Sequence, residues 1–271
     1  MTVSAPATAR KLRGRWLHWT IRDWKGLVPK EHGSWAYLLG PQISALIAAP
    51  DTLDAAIWAA ASLLLFGSFQ AFGAALRRRD RFSDAGLVTG MLGLALLVDG
   101  IATRPEAILA LAPALAAALL GLFGHRGRLA RQSELEILGI VATSVQGGAG
   151  LYVGGGRTVD AALLALCSAS YFLLSLIWVR VRLSREVPGR RPLFDRRANH
   201  PVSLGLLFVS LVAGVLAHRP VAGLLPGLYL VRSVLPVPRR KDGKLHIPKL
   251  GIQESIVAAA FAIGLGLFLG P

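Results

Sequence analysis

Apolar stretches long enough to cross a bilayer recur along this 271-residue chain, and its basic residues fall in alternate gaps between them. A spanning helix needs about 20 consecutive apolar residues, with ~17 as the usual lower limit. The stretches run approximately over residues 34–49, 55–76, 85–101, 107–124, 137–153, 161–179, 202–217, 221–235 and 251–270. The first, seventh and eighth sit at or below that limit unless flanking residues extend them. The expected fold is all-α: a polytopic membrane protein with about nine transmembrane helices.

The charges give the expected orientation independently. Lys and Arg accumulate in short loops on the cytoplasmic side of membrane proteins. With the N-terminus inside, 27 of the 30 basic residues fall in inner segments, and only Arg104, Arg157 and Arg219 fall in outer loops. The outer loops also carry Asp51, Asp54, Asp99, Glu106 and Asp160. Miscounting one helix would scramble this alternation from that point onward. The N-terminus is expected inside and the C-terminus outside.

A net charge of +15 would suggest nucleic acid in a soluble domain. Here the basic residues are divided among five short segments beside apolar helices, so anionic lipid headgroups are the expected partner and nucleic acid is not. The single Cys167 lies within the sixth stretch and excludes an intrachain disulfide or a multi-Cys metal site. Residues 1–30 contain no 7–15-residue apolar core of the signal-peptide kind. Residues 10–25 interleave Arg and Lys with Trp16, Trp19 and Trp24, which suits an arm lying at the inner headgroup layer. The chain thus divides into a basic, Trp-containing interfacial arm over residues 1–28 and one transmembrane helical domain over residues 29–271. Small-xxx-small pairs at Gly86/Gly90, Gly150/Gly154 and Gly266/Gly270 indicate close helix packing.

Three inner-side groups carry candidate chemistry. Lys30, Glu31 and His32 precede the first stretch, and ionisable residues at membrane depth are functional candidates. Gln70 and the cluster Arg77, Arg78, Arg79, Asp80, Arg81 and Asp84 lie at the inner end of the second stretch. Asp80 and Asp84 are one helical turn apart, the spacing for a shared Mg²⁺, but the surrounding arginines neutralise them first. Arginine pairs with planar oxyanions in bidentate fashion, so this group suits a phosphate directly. The third group is Arg180, Arg182, Arg185 and Glu186 at the inner end of the sixth stretch, where Arg182 and Glu186 are spaced for a charge pair. Glu134 and Glu136 open the fifth stretch, Gln146 lies within it, and Gln253 and Glu254 open the ninth. For Gln146, packing against a partner helix is the expected role.

The segment Pro29-Lys30-Glu31-His32-Gly33-Ser34-Trp35 resembles the opening signature of the YwiC-like family of bacterial membrane proteins. Lys249-Leu250-Gly251-Ile252-Gln253-Glu254 and the Arg-rich end of the sixth stretch are similar to that family as well. The resemblance implies a multi-pass protein of the bacterial plasma membrane and leaves the reaction open. The layout is also similar to UbiA-type intramembrane prenyltransferases, whose nine helices carry Asp-rich Mg²⁺-diphosphate motifs at the inner ends of helices two and six. In one register this chain has Gln70, Ala71, Ala74 and Arg78 at the first motif, and Arg182 and Glu186 at the second. Metal-bridged diphosphate binding needs several carboxylates, and here cations replace most of them.

The expectation is a UbiA-like bundle whose cytoplasmic-side cavity binds a phosphate-bearing isoprenoid or lipid. Lys30, Glu31, His32, Gln70, Arg78, Arg180, Arg182, Glu186 and Glu254 are the candidate binding residues. No metal or other cofactor is expected, with Mg²⁺ as the alternative, and no catalytic residue is assigned. If the protein is an enzyme, it is a prenyltransferase-like transferase without conventional Asp-rich sites. The alternatives are a small-anion transporter and a non-catalytic subunit or assembly factor of a membrane complex. The orientation is directly testable: an R190C variant should react with a membrane-impermeant maleimide only after permeabilisation, and labelling of intact spheroplasts would overturn it.

Overall fold

The computed structural model describes residues 34–78, 84–124, 132–186, 196–231, 235, 238 and 246–271. These residues form helices and no strand. In chain order the helices are α1 (Ser34–Ala48), α2 (Thr52–Arg78), α3 (Asp84–Thr103), α4 (Leu111–Gly124), α5 (Gln132–Val153), α6 (Thr158–Glu186), α7 (Arg196–Leu216), α8 (Pro220–Leu224) and α9 (Ile247–Leu269). A 3-10 segment, Pro105–Ala110, leads into α4, and a second, Leu225–Leu230, continues α8.

A helix therefore lies on each apolar stretch read from the sequence. Among the described residues, five helices are long and apolar enough to cross a membrane: Thr52–Ala71, Gly86–Thr103, Thr158–Ser184, Asn199–Leu216 and Lys249–Leu269. The seventh stretch gains its length upstream, because α7 begins at Arg196 and runs through Pro201. Among the described residues, the first and eighth stretches carry the shorter apolar helices Trp35–Ala48 and Pro220–Leu230. The fourth opens as the 3-10 turn at Pro105. Large apolar side chains on α3 and α7, among them Met91, Val98, Leu204 and Phe208, face outward and exposed. Together with the apolar helices, they fit a multi-pass membrane protein.

At the centre, α5 packs against α1, α2, α4 and α6, and α9 packs against α1 and α6. α1 runs parallel to α5 and α9. Pro41 meets Gly147 and Ala45 approaches Gly150, while Ser44 donates to the Ala262 carbonyl and Ile47 meets Gly266. α6 runs antiparallel to these three helices. Tyr171 of α6 stacks on Phe261 of α9 at 4.0 Å between ring centroids, and Phe172 meets Phe261 edge-on. We call the end where α1, α5 and α9 begin proximal, and the other distal.

Helices in an apolar solvent associate through close packing more than through burial of apolar area, which favours small residues at the contacts. A Cβ at Gly147 would lie 2.5 Å from the Pro41 Cβ, so the proline in α1 fits only against glycine. At the distal end, the Asp51 amide donates to the Gly154 carbonyl at 2.8 Å, and a Cβ at Gly154 would meet the Asp51 carbonyl. The Gly150/Gly154 and Gly266/Gly270 pairs thus lie at helix contacts. Gly86 and Gly90 meet Ser68, which donates to the Gly86 carbonyl.

The three arginines outside the basic segments are each engaged at the distal end. The Arg219 Nε lies 3.5 Å from Asp160, a buried carboxylate in the first turn of α6. Arg157 reaches the same carboxylate at 4.0 Å. Arg104 lies over the Tyr152 ring, and the Tyr152 hydroxyl donates to Glu106. Asp160 also sits favourably at the positive end of the α6 dipole. The Arg219 and Arg157 side chains differ in exposure, 34% against 71%, so Arg219 carries more of the pairing. D160N should therefore destabilise the fold by about 1–3 kcal/mol, the range for a buried polar group that loses its partner. R157Q should stay within about 0.5 kcal/mol. Thermal unfolding in detergent micelles measures both.

Candidate functional site

The antiparallel pairing of α5 and α6 places the start of α5 beside the end of α6. Glu136 and Arg180 meet there, with Arg180 Nη2 donating to Glu136 Oε2 at 2.5 Å. Both side chains are largely shielded, so the pair neutralises two charges that would otherwise be expensive at that position. Each member compensates the desolvation of the other.

A second arrangement lies on a different face of α6. Ser175, Trp178 and Arg182 follow one another at helical spacing, so they share a side. Arg180 is rotated about 140° from Ser175 on a helix of 3.6 residues per turn. Ser175 donates to Glu254 Oε2 at 3.1 Å across the contact with α9, where Glu254 is 8% exposed. The Arg182 guanidinium lies over the Trp178 ring, 5.1 Å from its centroid. Because α6 and α9 are antiparallel, Arg182 stands about two turns beyond Glu254, towards the level of the first turn of α9. That turn begins with His246, whose Nδ1 accepts from the Lys249 amide, followed by Pro248 inside the helix start. Along the exposed side of α9, Trp35, Gly251, Ile252, Ser255, Ile256 and Ala259 line a shallow apolar groove of about 340 Å³.

The candidate residues thus divide. Arg180 is engaged with Glu136, whereas Arg182 and Glu254 belong to the α6–α9 face. Gln70 is half-buried on α2, near the proximal contact between Ser68 and Gly86. Arg78 ends α2 and Glu186 ends α6. Lys30, Glu31 and His32 lie outside the described residues. Among the described residues no three His, Cys, Asp or Glu side chains group as metal ligands. The polar groups on the α6–α9 face are a guanidinium, a carboxylate and a hydroxyl.

Sequence reading overlooked Glu136 as the partner of Arg180, although an antiparallel hairpin of the fifth and sixth stretches would have set the two at one level. It also overlooked Ser175 and Trp178, which have no signature of their own. Gln146 does serve as packing: its Nε2 donates to the Ala110 carbonyl at 2.8 Å, and its Oε1 accepts from Ser62 at 3.3 Å. Trp58 adds a bond from its indole N–H to the Gln146 carbonyl. If Glu136 and Arg180 act as one unit, E136Q and R180Q should each cost about 1–3 kcal/mol, and the double substitution less than their sum. A double-mutant cycle on thermal stability measures the coupling.

Residues 28–149 match the family model described as YwiC-like protein. The match takes in the Pro29–Trp35 segment and the helices from α1 into α5, whereas the Arg182–Glu254 face and the Lys249–Glu254 segment lie beyond it. No curated protein and no solved structure matches the chain.

Proposed function

We propose that this YwiC-like chain is a plasma-membrane protein that binds a phosphate-bearing isoprenoid or lipid at the proximal, cytoplasmic end of a UbiA-like bundle. In this reading it has nine spans, with the N-terminus inside and the C-terminus outside. The observation that carries the reading is Arg182, stacked on Trp178 at the rim of the α6–α9 contact, above the buried Glu254–Ser175 pair. A guanidinium restrained by an aromatic face needs little reorganisation to bind a phosphate, and its planar fork matches two phosphate oxygens. The apolar groove beside Trp35 and α9 offers an isoprenoid or acyl tail a wall at the same end of the molecule. Arg78, together with Lys30 and His32 before α1, would complete the phosphate shell.

The reading differs from metal-dependent prenyl transfer in its electrostatics. Carboxylate clusters hold a diphosphate through Mg²⁺, whereas arginines neutralise the anion directly. Arg180 contributes through Glu136, by fixing the α5–α6 hairpin from which Arg182 projects. If the bound lipid is transformed, the buried Glu254 is the described carboxylate on this face placed to take a proton.

A second reading, a small-anion transporter, is favoured by the polar groups deep inside the bundle. Gln42 and Gln146 lie buried between α1, α2 and α5, beside Pro41 within α1. Transporters place their binding groups near the midplane on interrupted helices. Native mass spectrometry of the protein released from nanodiscs discriminates the two, because the first reading requires a co-purifying phosphate-bearing lipid. R182Q should weaken that binding about tenfold or more, from the loss of one or two charged hydrogen bonds. R157Q, at the opposite end, should leave it unchanged. Equal losses at both positions would sink the pocket and leave only a general charge effect.

A further inference from the structure

The outward faces of α3, α7 and α9 differ in relief. On α3 and α7 that face carries large side chains, among them Val88, Met91, Leu204 and Phe208, which form a ridge. On α9 the outward Ile252 and Ile256 alternate with Gly251, Ser255 and Ala259, and together with Trp35 of α1 they line the groove of about 340 Å³. The Ser255 hydroxyl turns back onto the Gly251 carbonyl at 3.0 Å, which leaves the lining apolar. From Gly251 to Ala259 the groove runs about 12 Å along the helix axis at the ordinary helical rise. That is close to one leaflet's share of a hydrocarbon core ~30 Å thick. The groove thus has the length of one extended chain within one leaflet.

Lys249 stands at the proximal head of this groove. It precedes Ile252 and Ile256 at helical spacing, so the three residues share one side of α9. Its side chain is exposed, and no carboxylate among the described residues lies within ion-pair distance of its ammonium. Its backbone is fixed, because the Lys249 amide donates to His246 Nδ1 at the start of the helix. Trp35 sets the depth. Indole rings favour the bilayer interface, and Trp35 lines the groove at 37% exposure. Counted from the Ser44–Ala262 contact, the parallel α1 and α9 bring Trp35 opposite the turn of Ile252 and Ser255. Lys249 lies about one turn further proximal, at headgroup depth, where a lysine stem rests on apolar surface while its ammonium reaches the headgroups.

We propose that Lys249 and the α9 groove bind one anionic phospholipid of the proximal leaflet, with an acyl chain along Ile252, Ser255, Ile256 and Ala259 and the phosphate at the Lys249 ammonium. The inference rests on the lipid-binding reading above for the tail alone, and adds a headgroup contact on the groove's own side of α9. Charge selects the occupant. In lipid, an apolar chain gains little by entering an apolar groove, so neutral and anionic lipids differ chiefly at Lys249. A basic residue at the surface attracts the anionic ones. The groove is open along its outer side, so the second chain of a phospholipid stays in the bilayer while the first is seated.

Native mass spectrometry of the full chain, released from nanodiscs of phosphatidylcholine doped with phosphatidylglycerol, tests the site. The wild type should retain phosphatidylglycerol over phosphatidylcholine. K249Q should lower that retention about fivefold, the effect of one cation at an anionic surface. K249R keeps the charge and should bind as the wild type does. A259F places a ring in the groove from an exposed position and should also lower retention. No preference in the wild type, unchanged retention in K249Q or A259F, or a loss in K249R as large as in K249Q would overturn the proposal. Displacement of phosphatidylglycerol by an equimolar single-chain polyprenyl phosphate would overturn it too, by assigning the groove to an isoprenoid. R182Q separates the two readings. A loss in R182Q with none in K249Q keeps the Arg182 site and removes this one, whereas the reverse result keeps this site and removes that role of Arg182.

Discussion

Pro41 of α1 presses its ring and carbonyl against the α5 backbone at Gly147, and the remaining central helices are arranged around that approach. In lipid, apolar side chains gain little by hiding from an equally apolar solvent, so short-range packing must hold helices together. That requirement explains why glycines concentrate on α5 and why α1 can be short and carry a proline without losing its place. α9 closes on α1 in the same way, with Gly266 taking Ile47, while Ser44 ties the pair through the Ala262 carbonyl. α6 completes the centre with aromatic stacking instead, Tyr171 lying flat on Phe261.

Within this apolar framework, the engaged polar groups are sorted by depth. At the distal end Asp160 gathers two arginines, and Arg104 is taken up by Tyr152. In the middle the engaged groups are uncharged, with Gln146, Ser62 and Trp58 bonding among themselves and to backbone carbonyls. At the proximal end charged groups return as Glu136 with Arg180, and Glu254 with Ser175. This ordering follows from the cost of desolvation, which is several kcal/mol for an ion and far less for an amide that finds a partner. Arg182 fits the ordering differently, because an aromatic face rather than a carboxylate receives its cation, leaving the donors of its fork directed elsewhere. An arginine in that state suits an anionic ligand better than one already committed to a carboxylate, and this difference separates Arg182 from Arg180.

The candidate site was partly legible in the chain. Arg180, Arg182 and Glu254 stand out because ionisable residues beside long apolar runs have no role in insertion beyond setting topology. Their assignment to one shared cluster was not legible. Arg180 and Arg182 are two residues apart, which on a helix sends them to different neighbours, one to α5 and the other to the α9 side. Ser175, Trp178 and Gln42 carried no signal, since a serine, a tryptophan or a single glutamine within an apolar run is as readily packing as function.

By itself the sequence determined that the chain is helical and membrane-embedded, and roughly where each helix lies, because hydrocarbon thickness and backbone hydrogen bonding leave few other solutions for such apolar runs. It also identified the small-residue pairs that meet other helices. Only the tertiary structure decided which helices are neighbours: α1 alongside α5 and α9, with α6 antiparallel to all three. It likewise decided that Glu136 belongs to Arg180, Glu254 to Ser175, and Asp160 to Arg219. These pairings join residues as many as 79 positions apart. Hydropathy specifies depth in the bilayer but is blind to rotation about the helix axis, and rotation is what the packing of glycine against proline, and of ring against ring, finally sets.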